Sequence, residues 1–89
     1  MEPSELKEAF GNVIRELRLA TGMSQEALSL QCGRHRTYVS LIERGKNAPS
    51  IITLWVLADS LDVAPSQVIA LVEARMTSHS RSRARRAKS

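Results

Sequence analysis

Gly22, Gly33 and Gly45 punctuate the middle of this chain and limit what it can build there. Between the first two lies Met23-Ser24-Gln25-Glu26-Ala27-Leu28-Ser29-Leu30-Gln31-Cys32. Ser24 suits a helix N-cap, Glu26 falls where the helix dipole favours acid, and Ala27, Leu28 and Cys32 can turn inward. Between the second and third glycines the spacing predicts another short helix over about 36–44, with Val39 and Ile42 on its core side. Glycine takes the left-handed conformation that closes a helix without steric cost. Residues 23–45 therefore read as two short helices meeting across a turn at Gly33, the second opening with a polar and basic face.

The flanks supply three more helices. Leu6, Phe10, Val13, Ile14 and Leu17 recur at three- and four-residue spacings, which predicts a helix over about 5–20 with Ser4 as its cap and Gly22 as its stop. Gly11 weakens its interior slightly. After Pro49, Ser50 is a natural cap for a fourth helix over about 51–61, with Ile51, Leu54, Leu57, Ala58 and Leu61 facing inward. Pro65 suits the first position of a fifth helix ending near Ala74. The expected fold is all-α: one compact five-helix domain over residues 1–74.

The length of 89 residues allows one domain with a modest core. A single Cys excludes an internal disulfide and points to a reducing compartment. The longest nearly apolar stretch, residues 51–58, is interrupted by Thr53 and is too short to span a bilayer. A cytoplasmic protein with no membrane partner is expected.

The net charge of +4 conceals an asymmetry. Residues 1–74 carry seven Lys or Arg against nine Asp or Glu, a net of −2, while residues 75–89 carry six basic residues and no acidic one. Any nucleic-acid surface on the domain must therefore come from local clustering. The basic tail, residues 75–89, is expected to be disordered when unbound and to attract phosphate in a salt-sensitive way.

A short helix held across another can enter the major groove of duplex DNA, where every base pair shows a distinct donor and acceptor pattern. With Val39 and Ile42 facing the core, Arg36, Thr37, Ser40 and Leu41 fall on the outward side. Arg36 can give guanine a bidentate contact, Thr37 can offer a hydroxyl or meet a thymine methyl, and Leu41 can offer apolar contact. Gln25 at the start of the preceding helix, and Arg44, Lys46 and Asn47 after the second, are placed to hold phosphates. The bland alternative for each is a solvated helix surface.

Ser24-Gln25-Glu26-Ala27-Leu28, Gly33, Tyr38-Val39-Ser40, Ile42-Glu43-Arg44-Gly45-Lys46, Pro49-Ser50 and Thr53-Leu54 together resemble the lambda-repressor-like, or XRE-type, helix-turn-helix family. The resemblance runs from about Ala9 to Ile69. It implies a five-helix DNA-binding domain that acts as a homodimer on palindromic operators. It also implies that Gln25 meets the DNA backbone, that Arg36, Thr37 and Leu41 are the principal base readers, and that Tyr38, Arg44, Lys46 and Asn47 contact the backbone. Arg18 and Glu43 match an ion pair between the first and third helices. His35-Arg36-Thr37-Tyr38-Val39-Ser40 is further similar to the controller proteins of restriction–modification systems. Two residues depart from the family pattern. Arg34 stands where an apolar residue is usual in the turn, which moves a charge toward phosphate or weakens turn packing. His35 replaces a small capping hydroxyl, which leaves the next helix less well capped but sets a ring at the edge of the groove among the base readers.

The chain has more apolar surface than a small core absorbs. Ile52, Trp55 and Val56 on the fourth helix, with Val68, Ile69, Leu71 and Val72 on the fifth, predict a homodimer interface. No phosphate-binding glycine loop, paired carboxylates or nucleophile constellation is present in the sequence, and neither His35 nor His79 has metal-ligand spacing with Cys32. A non-enzymatic protein without cofactor or metal is expected. The best expectation is a sequence-specific regulator of transcription bound to double-stranded DNA. Repression by occupying the promoter and activation by contacting RNA polymerase are both open. An antitoxin, a restriction–modification controller and a protein-interaction adaptor on the same fold are the alternatives.

Overall fold

The computed structural model describes the backbone of residues 2–88 and the side chains of residues 2–77. Among the described residues the fold is five helices without a strand: α1 (Pro3–Thr21), α2 (Gln25–Gln31), α3 (Tyr38–Glu43), α4 (Ile51–Ser60) and α5 (Pro65–Lys88). α1 packs against α5 and α3, α2 against α3 and α4, and α4 against α5. The interior they enclose is built from Phe10, Val13, Ile14, Leu28, Val39, Ile42, Leu57, Ala58, Leu61 and Val68, with smaller contributions around them.

α1 begins earlier than its sequence signals suggest. Pro3 takes the first helical position, where a missing N–H costs nothing, and Glu2 rather than Ser4 is the cap residue. Leu6, expected in the buried stripe, lies partly exposed at the domain edge. Gly11 has a stronger reason than tolerance. A Cβ built there would lie 2.5 Å from the Ile42 carbonyl oxygen and 2.9 Å from that of Glu43, so α1 approaches the end of α3 through the space a side chain would fill.

Ser24 caps α2 as expected, its Oγ accepting the Ala27 N–H at 3.0 Å. Leu28, Ser29 and Cys32 fill the inward side, and Ala27 is exposed, against expectation, because so short a helix buries one narrow stripe. Gly33 and Gly45, with φ of 70° and 71°, close α2 and α3 in the same way. The Gly33 and Arg34 N–H groups return to the Leu30 and Ser29 carbonyls, and those of Gly45 and Lys46 to the Ile42 and Leu41 carbonyls, all at 2.9–3.0 Å. Each helix thus ends with its last carbonyls satisfied and the chain turned sharply.

Ser50 caps α4 through the Thr53 N–H at 3.2 Å. Leu54, Leu57, Ala58 and Leu61 are buried as expected, but Ile51 is 70% exposed. It shares their stripe but lies in the first turn, beyond the edge of the packed interior. α5 continues past the expected end at Ala74, because Met76 still packs on the core and Arg75 pairs with Glu16. The side chains of residues 78–89, where the basic tail was expected to act, lie outside the described residues. Among the described residues no single helix is long and apolar enough to cross a membrane.

Candidate nucleic-acid interface

The two-helix unit is locked by a residue that sequence reasoning passed over. Ser29 is fully buried; its Oγ donates to the Gln25 carbonyl at 2.8 Å and accepts the Val39 N–H at 2.9 Å. One hydroxyl thereby satisfies an otherwise orphaned donor in the first turn of α3 and pins that turn to α2. The available signal was a small hydroxyl between Leu28 and Cys32 on an inward stripe.

The expected helix over 36–44 is shorter. α3 starts at Tyr38, and Arg36 and Thr37 occupy the turn before it. His35 shapes that turn: its Nδ1 accepts the Thr37 N–H at 3.3 Å and lies 3.0 Å from Thr37 Oγ1. Nδ1 is thus the acceptor for the backbone of this turn. The ring nitrogen closes the turn that leads into α3, while the cap residue itself, Thr37, makes no side-chain capping bond. The Tyr38 N–H returns to the His35 carbonyl at 2.9 Å.

His35, Arg36 and Thr37 are exposed together, whereas Ser40 and Leu41 are half-buried. Arg36 makes no side-chain bond or ion pair within the described residues, which leaves its guanidinium available. Arg44, Lys46 and Asn47 are exposed beyond the other end of α3, with Arg44 Nε donating to the Ser40 carbonyl at 3.3 Å. Arg34 is already engaged. It donates to Thr53 Oγ1 at 2.9 Å and lies 5.4 Å over the centre of the Tyr38 ring.

Arg18 and Glu43 form the expected pair in bidentate form, with Nε–Oε2 at 2.6 Å and an Nη2–Oε1 bond at 3.0 Å. Their side chains are only 10% and 3% exposed. A third Arg18 nitrogen donates to the Met23 carbonyl at 3.0 Å. The hydrogen bond to Glu43 raises the Arg18 pKa; burial opposes this, and the Glu43 charge adds to it. Gln25 joins the same carboxylate, its Nε2 donating to Glu43 Oε1 at 3.0 Å. The residue expected to hold phosphate is therefore oriented by the ion pair that joins α1 to α3.

A second surface lies on α4 and α5. Val68 and Val72, expected at a dimer interface, are buried within the domain, and Val56 is half-buried against the core. Ile52, Trp55, Ile69 and Leu71 do remain exposed, Trp55 at 57%. Ile51, Leu54, Trp55, Ile69 and Ala70 line one groove, and Leu6, Phe10, Ile51, Leu54 and Ile69 line a second of about 460 Å³. The shared residues make one apolar trough.

A family model described as helix-turn-helix matches residues 14–68, which contain this whole unit. The chain belongs to the helix-turn-helix family of DNA-binding transcriptional regulators. It is similar to the control protein C.BamHI of Bacillus amyloliquefaciens, 36% identical over 74% of this chain and 83% of that protein. The crystal structure of the restriction–modification controller protein C.AhdI from Aeromonas hydrophila superposes with a TM-score of 0.72 and 37% identity, covering 76% of this chain and 99% of that one. The clp gene regulator ClgR from Corynebacterium glutamicum reaches a TM-score of 0.80 at 23% identity over 88% of this chain and 83% of its own, a likeness of fold. These matches agree with the expected compact all-α fold.

Proposed function

We infer that this helix-turn-helix regulator reads a palindromic operator as a homodimer, with Arg36 and Thr37 as its main base readers. The observation that carries this reading is the exposed turn of His35, Arg36 and Thr37, presented by a rigidly pinned α3 and bordered by Arg44, Lys46 and Asn47. Arg36 is free to meet a guanine edge, and the Thr37 hydroxyl and methyl reach the next position; Ser40 and Leu41 offer smaller contacts from the first turns of α3. Gln25, held by Glu43, and Tyr38 are set to meet phosphates on one side, with Arg44, Lys46 and Asn47 on the other. The α4–α5 trough with Trp55 supplies the symmetric contact between protomers. Two copies of α3 would then lie about one DNA turn apart, roughly 34–36 Å. Doubling the contacts also compensates for a domain with few positive charges.

Selection of bound duplexes from a random pool tests the reading, and one palindromic sequence is the expected product. Failure to retain any duplex at low salt defeats it and favours the adaptor alternative. Sedimentation of the wild type and Trp55→Glu checks the dimer: a monomeric variant is expected, and an unchanged dimer moves the interface elsewhere.

Similarity to C.BamHI and C.AhdI favours a narrower role as the controller of a restriction–modification system, acting in the cytoplasm. That role places the selected operator upstream of nuclease or methyltransferase genes. Transcription from such a promoter, with and without the protein, distinguishes repression from activation through contact with RNA polymerase.

A further inference from the structure

Arg34, exposed just before the reading turn, has its guanidinium already engaged within the fold. Its backbone closes α2, its guanidinium donates to Thr53 Oγ1 on α4 at 2.9 Å, and the same group lies 5.4 Å over the ring of Tyr38, the first residue of α3. Thr53 is buried, and its Oγ1 also lies 3.1 Å from the Oγ of Ser50, the cap of α4. A guanidinium suits this double task, donating to a hydroxyl while its charge lies over an aromatic ring.

The placement matters because of how the helices pack. α3 rests on α1 and α2, whereas α4 rests on α5 and α2. Arg34 therefore joins the start of α3 to α4 where helix packing joins them little. α4 also carries Ile51 and Trp55 on its exposed side.

We propose that Arg34 is a positioning residue that sets the register of the two reading turns in the dimer. It clamps Tyr38 and the start of α3 to the helix that bears the dimer surface. This rests on the dimeric DNA reading above. It differs from the phosphate contact that the sequence suggests for Arg34, because the guanidinium acts on Thr53 and Tyr38 and not on DNA.

The test uses the full chain and duplexes carrying two copies of the selected half-site at the preferred spacing, or with one base pair added or removed between them. Thr53→Val removes the acceptor hydroxyl and leaves the Arg34 charge in place; Arg34→Gln removes the charge. Both are expected to lose about three- to tenfold in affinity at the preferred spacing, the scale of one or two lost polar contacts. Both should also discriminate less between spacings, while the dependence of log affinity on log salt stays that of the wild type. Ser50→Ala, which removes the α4 cap and leaves the Arg34–Thr53 bond in place, serves as the stability control and should keep the spacing preference. The proposal is overturned if Arg34→Gln lowers the salt slope by about one per protomer while Thr53→Val matches the wild type, since that is the signature of a phosphate contact. It is equally overturned if both variants keep the wild-type spacing preference. A wild type that binds no duplex, or binds as a monomer, defeats the dimeric reading itself and is distinguished before either variant is made.

Discussion

Substituting Gly11 by Ala sets two well-known effects against each other, and the structure decides the sign. In an isolated helix the change is favourable by about 1 kcal/mol, because alanine loses less backbone freedom on folding. Here the new Cβ would lie 2.5 Å from the Ile42 carbonyl oxygen and 2.9 Å from that of Glu43. Both obstacles are backbone atoms at the end of α3, so no side chain can rotate away. α1 and α3 must separate, and overpacking of this kind costs about 1–3 kcal/mol, with the upper part applying where backbone must move. The net expectation is a loss of about 1–2 kcal/mol, equivalent to a Tm lower by about 5–15 °C for a domain of this size. Circular dichroism at fixed protein concentration measures it, since Tm depends on concentration wherever protomers associate. Glu43 also holds Arg18 and Gln25, so displacement of α3 should weaken operator binding together with stability. A Tm that rises by several degrees, with affinity unchanged, would refute the close approach and leave helix propensity in charge.

Ser29→Ala should cost about 1–3 kcal/mol in denaturant unfolding, because the buried Val39 N–H loses its acceptor. Ser29→Thr, which keeps a hydroxyl, should recover part of that loss if the bond rather than the space is what matters. Arg18→Met leaves the Glu43 carboxylate buried without its bidentate partner and should destabilise by about 3 kcal/mol, measured in the same assay. Because pairing raises the Arg18 pKa, its contribution is fully present below the ordinary guanidinium value and is lost only as pH rises above it. Melting measured across the neutral range should show no titration from this arginine. Arg36→Ala should relax discrimination at a single base position by about 1–3 kcal/mol in competition binding, whereas a uniform loss across sequences would assign Arg36 to phosphate.

Much of the fold was legible because its signals are local. Ser24 and Ser50 cap helices whose N–H groups are three residues away, and Gly33 and Gly45 close helices through carbonyls three to five residues back. The Arg18–Glu43 pair was legible by resemblance to the helix-turn-helix pattern, although its partners are 25 residues apart. The fate of single side chains was less accessible. Val68 and Val72 share the apolar character of Ile69 and Leu71, and only packing against α1 and α4 separates buried from exposed. His35 is a poor helix cap by residue type, and its ring nitrogen instead closes the preceding turn through the Thr37 N–H.

The sequence by itself determined the five-helix plan, the turn at Gly33 and a polar and basic face at the opening of the segment 36–44. Capping, backbone preference and apolar periodicity act over a few residues, so they can be read along the chain. The tertiary structure alone decided which polar side chains are committed and which are free. Gln25 is held by Glu43 18 residues away and Arg34 by Thr53 19 residues away, while Arg36 keeps no partner among the described residues. Hydrogen bonds between distant residues depend on how helices cross, as at Gly11, where the missing side chain lets α1 meet the end of α3.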